Sequence, residues 1–275
     1  MKNPDQHKTL TADSYPYVTG MGFRQRAHLI WDEFQKDDPC VINRDGQTAF
    51  VKTDLIKDFF LHAIPKMGNQ INIITHNSAL GINLSHLQYL NNIKVINWYA
   101  QNANIAHEKL ISIPLGIANR RWPHGNIKQL ESVMRESTEK DHLIYMNFDV
   151  KTNLGERSKV YDHFRDKEYV HFGSKKPFLE YLKDLKGSRF SLSPQGRGTD
   201  CHRIWESILM GTIPIVKECQ NISFYREMPI TIIKNWEDVS ESFLRAEYKK
   251  ITSRGWDHSK LFLDYWINRV GLKNE

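Results

Sequence analysis

Apolar runs of strand length alternate with polar and amphipathic stretches of helix length along most of this chain. Residues 69–75 (NQINIIT), 94–99 (KVINWY) and 110–114 (LISIP) read as short strands, and residues 83–91 as a helix between two of them. Residues 127–139 form a polar helical stretch, after which the alternation restarts. Strands are predicted at 142–148 (HLIYMNF), 169–172 (YVHF), 189–193 and 213–216 (IPIV), with helices at 156–165, 177–185 and 201–210 between them. Alternation of this kind predicts βα units around mostly parallel sheets. Two series that join near residues 125–141 predict an α/β protein of two doubly wound, Rossmann-like domains facing a cleft. The expected division is residues 1–138, residues 139–256 and a terminal segment, 257–275. An aromatic amphipathic helix in that last segment, residues 261–270 (LFLDYWINRV), is expected to pack back on the first domain.

Two local signals precede the first series. Residues 40–43 (CVIN) and 48–51 (TAFV) flank Arg44-Asp45-Gly46-Gln47, and an Asp-Gly pair between apolar runs predicts a β-hairpin with Asp45 in its turn. Thr53 and Asp54 stand before an amphipathic run as helix-capping residues, and that helix should end near Pro65.

A length of 275 residues accommodates two modest cores, and 40% hydrophobic with 25% charged residues is the composition of a packed protein rather than a disordered one. The longest apolar stretches fall far short of the roughly 20 residues that cross a bilayer. Residues 1–14 are polar and lack the apolar core of a secretory signal. Cys40, Cys201 and Cys219 are odd in number and lack metal-ligand spacing, as expected of free thiols in a reducing compartment, so the expected location is cytoplasmic. A net charge of +6 suits partners that carry phosphate, and equally a solvated surface rich in lysine. No dense Lys/Arg tract and no helix-turn-helix, zinc or RNA-binding signature occurs, so no stable nucleic-acid partner is expected.

The segment 190–216, FSLSPQGRGTDCHRIWESILMGTIPIV, carries the chemistry. A strand ends at Ser193, Pro194 forces a turn, and Gly196 and Gly198 allow close approach of a ligand to the backbone before a helix begins near Asp200. Open amides at that helix start, with Thr199, Arg197 and Arg203 nearby, would favour a pyrophosphate. Ile204, Trp205, Ile208 and Leu209 have the spacing of a buried face, which puts Arg203 and Glu206 together on another side. A guanidinium there can fork onto phosphate oxygens, and a carboxylate one turn on can accept hydrogen bonds from both cis hydroxyls of a ribose. A surface ion pair between the two, beside glycines that merely turn the chain, is the alternative.

This segment resembles the nucleotide-sugar motif of exostosin-like glycosyltransferases: a strand, a Cys-Pro-Arg-Gly-like turn, Arg-X-X-Glu on a helix, then Gly-X-Ile-Pro-Val. Ser193-Pro194-Gln195-Gly196, Arg203-Ile-Trp-Glu206 and Gly211-Thr-Ile-Pro-Ile-Val216 occupy those places in order, with weaker likeness at residues 74–78 (ITHNS) and 113–117 (IPLGI). The resemblance implies a GT-B fold and an inverting transfer from a nucleotide-diphospho-sugar, usually uridine-linked, to a glycan or glycoconjugate acceptor. Gln195 stands where the family commonly has Arg, which leaves the phosphate role to Arg197 or implies another donor preference. Fucosyltransferases of the GT-B type share a related strand, turn and Glu-bearing helix, so a GDP-linked donor is the alternative. A nucleotide-sugar binder without activity and a nucleic-acid-binding module are the non-enzymatic alternatives.

Glycosyl transfer leaves negative charge on the departing diphosphate. No Asp-X-Asp metal motif occurs in the chain, so no metal or other cofactor is expected. The helix-start amides with Arg197 and Arg203 would neutralise that charge, joined by Asn147 and Arg157 around the loop after the first strand of the second domain. An inverting reaction also needs a general base for the acceptor hydroxyl. His76, just past an apolar strand, is the expected base, with Asp54 in reserve. A loop histidine that only makes hydrogen bonds, and a helix-capping aspartate, are the alternatives for these two.

Overall fold

The computed structural model describes residues 14–272, so the polar stretch at 1–14 lies, Ser14 apart, outside the described residues. The chain divides into two compact units, Met1–Arg121 with Ser259–Glu275, and Trp122–His258. Each contains a five-stranded parallel sheet with helices, the α/β class expected from the alternation. No helix among the described residues is long and apolar enough to cross a membrane.

Unit 1 is built on β1 (Leu29–Trp31), β2 (Gln47–Lys52), β3 (Ile71–His76), β4 (Val95–Ala100) and β5 (Leu110–Ser112), with helices α1 (Gly20–Arg26), α2 (Ile56–His62) and α3 (Leu87–Leu90). Its strand order is β1-β2-β3-β4-β5 without reversal. Right-handed crossovers that always step the same way fall on one face of a sheet. There, Ile56 and Phe59 of α2 and Leu90 of α3 pack on Val51, Ile73 and Trp98. The pleat sends Phe50, Ile74 and Tyr99 to the opposite face. That face is covered by residues distant in sequence, Phe23 of α1 with Leu263 and Trp266 of the short helix Leu263–Ile267. Tyr99 Oη donates to the Arg269 carbonyl at 2.8 Å, and Thr48 Oγ1 to that of Gly271 at 2.9 Å, which fastens the segment after this helix to the sheet.

The local signals fared unevenly. Asp45 and Gly46 do form a turn, with Gly46 at φ +81° and Asp45 Oδ1 accepting from the Gln70 amide at 2.7 Å. The expected hairpin is absent. Cys40 and Val41 lie in a 3-10 turn, Pro39–Val41, whose start is capped by Asp38, and β2 pairs in parallel with β1 and β3. A strand with parallel neighbours on both sides has no edge left for an antiparallel partner. Thr53 and Asp54 likewise cap nothing: they form a 3-10 turn, Thr53–Leu55, and α2 follows with no side-chain cap.

Unit 2 comprises β6 (His142–Met146), β7 (Val170–Phe172), β8 (Ser188–Leu192), β9 (Ile213–Lys217) and β10 (Thr231–Ile233). Its helices are α4 (Ile127–Arg135), α5 (Leu154–Phe164), α6 (Phe178–Lys186), α7 (His202–Leu209), α8 (Gln220–Ser223) and α9 (Glu241–Thr252). The two units differ in winding, for here the order is β10-β9-β8-β6-β7. From β6 the chain steps outward to β7, then returns past β6 to β8, so direction reverses between β6 and β8. Val160 and Phe164 of α5 share one face with Leu244 and Ile251 of α9. Helix α4 belongs to this unit because Lys186 Nζ, at the end of α6, donates to the Val133 and Met134 carbonyls at its C-terminal end, both at 2.7 Å.

Leu263 is fully buried against the sheet of unit 1. Leu263→Ala should therefore cost about 2–5 kcal/mol of unfolding free energy. Urea unfolding checks this, as a lower midpoint at unchanged slope. An unchanged midpoint would show that the short helix contributes nothing to the unit.

Candidate functional site

In open parallel sheets, ligands collect beyond the carboxyl ends of the strands where the winding direction reverses, because the two loops leave opposite faces and part to form a crevice. In unit 2 that place lies between β6 and β8. A pocket of about 960 Å³ opens there, walled by Asn147 and Phe148 after β6, by the loop after β7, and by the starts of α6 and α7.

Helix α7 presents its first turn to this pocket. Cys201 at its N-cap makes no side-chain capping bond, and the first turn holds no acidic residue. Arg203 lines the pocket, and its Nε and Nη1 are buried without a hydrogen-bond partner, the guanidinium lying 5.9 Å from the Phe148 ring centre. Buried donors in native proteins are nearly always paired, so an unpaired guanidinium beside a cavity calls for an anion. Cys201 shares the wall, but burial pushes its thiol up, away from reactive thiolate.

Glu206 lies one turn further along the same wall and is 4% exposed. The surface ion pair that the spacing also allowed is therefore not what forms. Instead Glu206 Oε2 accepts from the Tyr181 hydroxyl of α6 at 2.8 Å. Burial raises the Glu206 carboxyl above its ordinary range, against the hydrogen bond from Tyr181 and the positive charges of Arg203 and His124. The buried face expected for Ile204, Trp205 and Ile208 is present, but Glu206 and Ser207 are buried with it.

Arg157 and Asn147 line the pocket as well, and both also bond the framework around it. Arg157 donates from Nε to the Gln195 carbonyl at 3.0 Å and from Nη2 to that of Pro194 at 3.1 Å. Its Nη1 donates to the Asp149 carbonyl at 3.0 Å and to Thr152 Oγ1 at 2.6 Å. Its donors are thus largely committed to tying the loop after β6 to the loop after β8. Gly196 lacks a side chain for the sake of this guanidinium: an added Cβ would stand 3.0 Å from Arg157 Nη2. Arg197 is exposed, and Ser193, Gly196, Arg197, Gly198 and Thr199 do not wall the pocket. On this loop the wall begins at Cys201, because residues 193–196 are committed to the sheet, Arg157 and Asn153. Ser193 is 2% exposed, its hydroxyl 3.4 Å from Ser191 Oγ. Asn147 does line the pocket, with Nδ2 donating to Tyr145 Oη at 2.8 Å and to the Ser174 carbonyl at 3.3 Å.

In unit 1, His76 is 1% exposed at the end of β3. Its Nδ1 accepts from the Asn77 amide at 2.8 Å and its Nε2 donates to the Pro114 carbonyl at 3.2 Å. The lone pair that a general base needs is already engaged, so the geometry is that of a structural histidine. Asp54 is exposed on the 3-10 turn after β2.

Tyr181, Phe148 and Phe178 were not singled out by sequence reasoning. Tyr181 and Phe178 lie in a helix whose pattern gives no hint that it abuts α7. Phe148 carried a usable signal, since it follows the first strand of a doubly wound series.

Residues 132–269, half of the chain, match the family model of the RXYLT1 C-terminal domain, and this stretch contains the whole pocket wall apart from Pro123 and His124. Among solved structures, the GtfA/B complex is similar at 10% identity with a TM-score of 0.37, over 84% of this chain and 55% of that one. The chain thus spans about half the length of that protein. No curated protein matches it.

The raised carboxyl of Glu206 has a measurable sign. Below the ordinary value of 4.5 the neutral acid is present in folded and unfolded chains alike. As pH rises from there through the raised folded value, the folded protein holds the proton more tightly than the unfolded chain does, and stability is lost. Glu206→Gln, neutral and nearly isosteric, should melt above the unmodified protein near neutral pH, with the gap closing in acid. Melting curves over a pH series test this, and a variant that melts lower at neutral pH would contradict it.

Proposed function

The chain belongs to the RXYLT1 C-terminal domain family of exostosin-like glycosyltransferases, and we propose on that premise that it transfers a sugar from a nucleotide-diphospho-sugar bound in the pocket of unit 2 to a hydroxyl of a glycan or related acceptor. One observation carries the proposal: a guanidinium with two buried, unpaired donors stands one helical turn from a buried carboxylate, at the winding reversal of a parallel sheet. Arg203 grips the diphosphate together with the amides at the start of α7. Glu206, with Oε2 held by Tyr181, turns Oε1 to the ribose diol.

Charge that develops on the departing diphosphate meets donors already aimed at it, and stabilisation of that kind costs no reorganisation as the bond breaks. Arg203 and the helix start fill the role that a divalent metal has in other transferases, in support of a metal-independent reaction. Direct attack by the acceptor hydroxyl inverts the anomeric centre and requires a base. Of the two residues weighed for it, Asp54 is the one whose side chain is exposed. Uridine is the base of the donor by resemblance, with guanosine as the alternative.

Thermal shift with UDP and with GDP separates the two donors, since a ligand that binds only the folded protein raises its melting temperature. Arg203→Ala should weaken binding of the preferred diphosphate at least about tenfold, the worth of a lost charge-assisted hydrogen bond. A cooperative melting transition without ligand verifies that the fold survives, since the Nε and Nη1 donors removed bond no protein group. Unchanged affinity in a calorimetric titration would remove the diphosphate from this helix.

A further inference from the structure

We propose that Tyr181 is a positioning residue for the donor: its hydroxyl fixes the plane of the Glu206 carboxylate so that Oε1 alone meets the sugar, and it thereby sets the preference for ribo- over 2′-deoxyribonucleotides. The inference rests on the ribose role given to Glu206 above.

The terminal torsion of a glutamate is soft, so a carboxylate at the edge of a cavity has no preferred plane of its own. At Glu206 the plane is set from outside its helix, by the 2.8 Å hydrogen bond from Tyr181 to Oε2. The phenol ring is itself held. It packs near-parallel to Phe178, with centroids 6.0 Å apart and planes at 21°, and against Tyr145 at 6.0 Å. Burial, and next the negative charge of Glu206, push the Tyr181 hydroxyl well above the usual phenol range, so it stays a donor. Around the carboxylate stand Tyr181 from α6, Arg203 from α7 itself and His124 from the segment before α4. Of that set, Tyr181 is the one that bonds directly to the carboxylate, and burial holds the His124 imidazole below its ordinary value. With one lone pair of Oε2 taken by Tyr181, Oε1 offers both of its own to a vicinal pair of hydroxyls. A ligand that lacks the 2′-hydroxyl leaves one of them unmet in a buried place, where an unpaired polar group is costly.

Tyr181→Phe keeps the ring and its contacts while removing the hydroxyl, and a cooperative melting transition verifies the fold. The test is calorimetric titration of UDP or GDP, whichever the thermal-shift screen selects, and of its 2′-deoxy counterpart, across a pH series. The unmodified protein should favour the ribonucleotide about tenfold, the scale of one hydroxyl read by a buried acceptor. In Tyr181→Phe, affinity for the ribonucleotide should fall about tenfold and that preference should nearly vanish. The acid limb of binding should also move to higher pH, because the lost hydrogen bond held the carboxyl down. A variant with the same preference and the same pH profile as the unmodified protein overturns the proposal. An unmodified protein that binds neither diphosphate overturns the donor reading itself, a distinct outcome. In Glu206→Gln, removal of the Tyr181 hydroxyl should have little further effect, and full additivity of the two substitutions also counts against positioning.

Discussion

Three backbone carbonyls, those of Asp149, Pro194 and Gln195, converge on the guanidinium of Arg157, and the pocket of unit 2 depends on that convergence. The loops concerned leave β6 and β8, neighbouring strands whose crossovers go to opposite faces, so nothing in the sheet itself holds them at a fixed separation. A guanidinium with most of its donors spent on main-chain oxygens does so with directional bonds. Gly196 gives it room, and the bend at Pro194 turns a carbonyl toward it. Arg157 is thus committed to the framework, and of the two arginines on the pocket wall this leaves Arg203, on α7, with donors to offer.

The two arginines differ in how their donors are used. Arg157 is satisfied and 6% exposed, whereas Arg203 is unsatisfied at Nε and Nη1. Natural proteins tolerate unpaired buried donors where function requires them. Glu206 fits the same logic from the acidic side. Burial disfavours its charge, and Tyr181, Arg203 and His124 recover part of what burial removes. In the function proposed above, the phosphate and hydroxyl groups of the donor would pair with both side chains.

Unit 1 meets a different constraint. A sheet that winds in one direction covers one face with its own crossovers and leaves the other to distant segments. Here α1 and the short helix Leu263–Ile267 perform that duty, so the end of the chain is part of the first core and not an appendage of the second. Phe50, Ile74 and Tyr99, at the centre of that face, would otherwise stand in water. His76 is caught up in the same closure, its ring against Phe23 with centroids 5.9 Å apart.

Period and punctuation in the sequence sufficed for the α/β class, for most of the strands and helices, and for the helix that carries Arg203 and Glu206, because those features depend on residues close together in the chain. The turn at Asp45 and Gly46 was legible for the same reason, whereas the partner of the strand after it was not, since three-residue β1 has too few positions to show a pattern. Only the tertiary structure decided which arginine is spent and which is free, because that depends on whose carbonyls arrive at the same place. Only it brought Tyr181 to Glu206, 25 residues apart in sequence, through the packing of α6 beside α7. A local pattern states what a residue could bond, but the neighbours that compete for its donors are assembled from the whole fold.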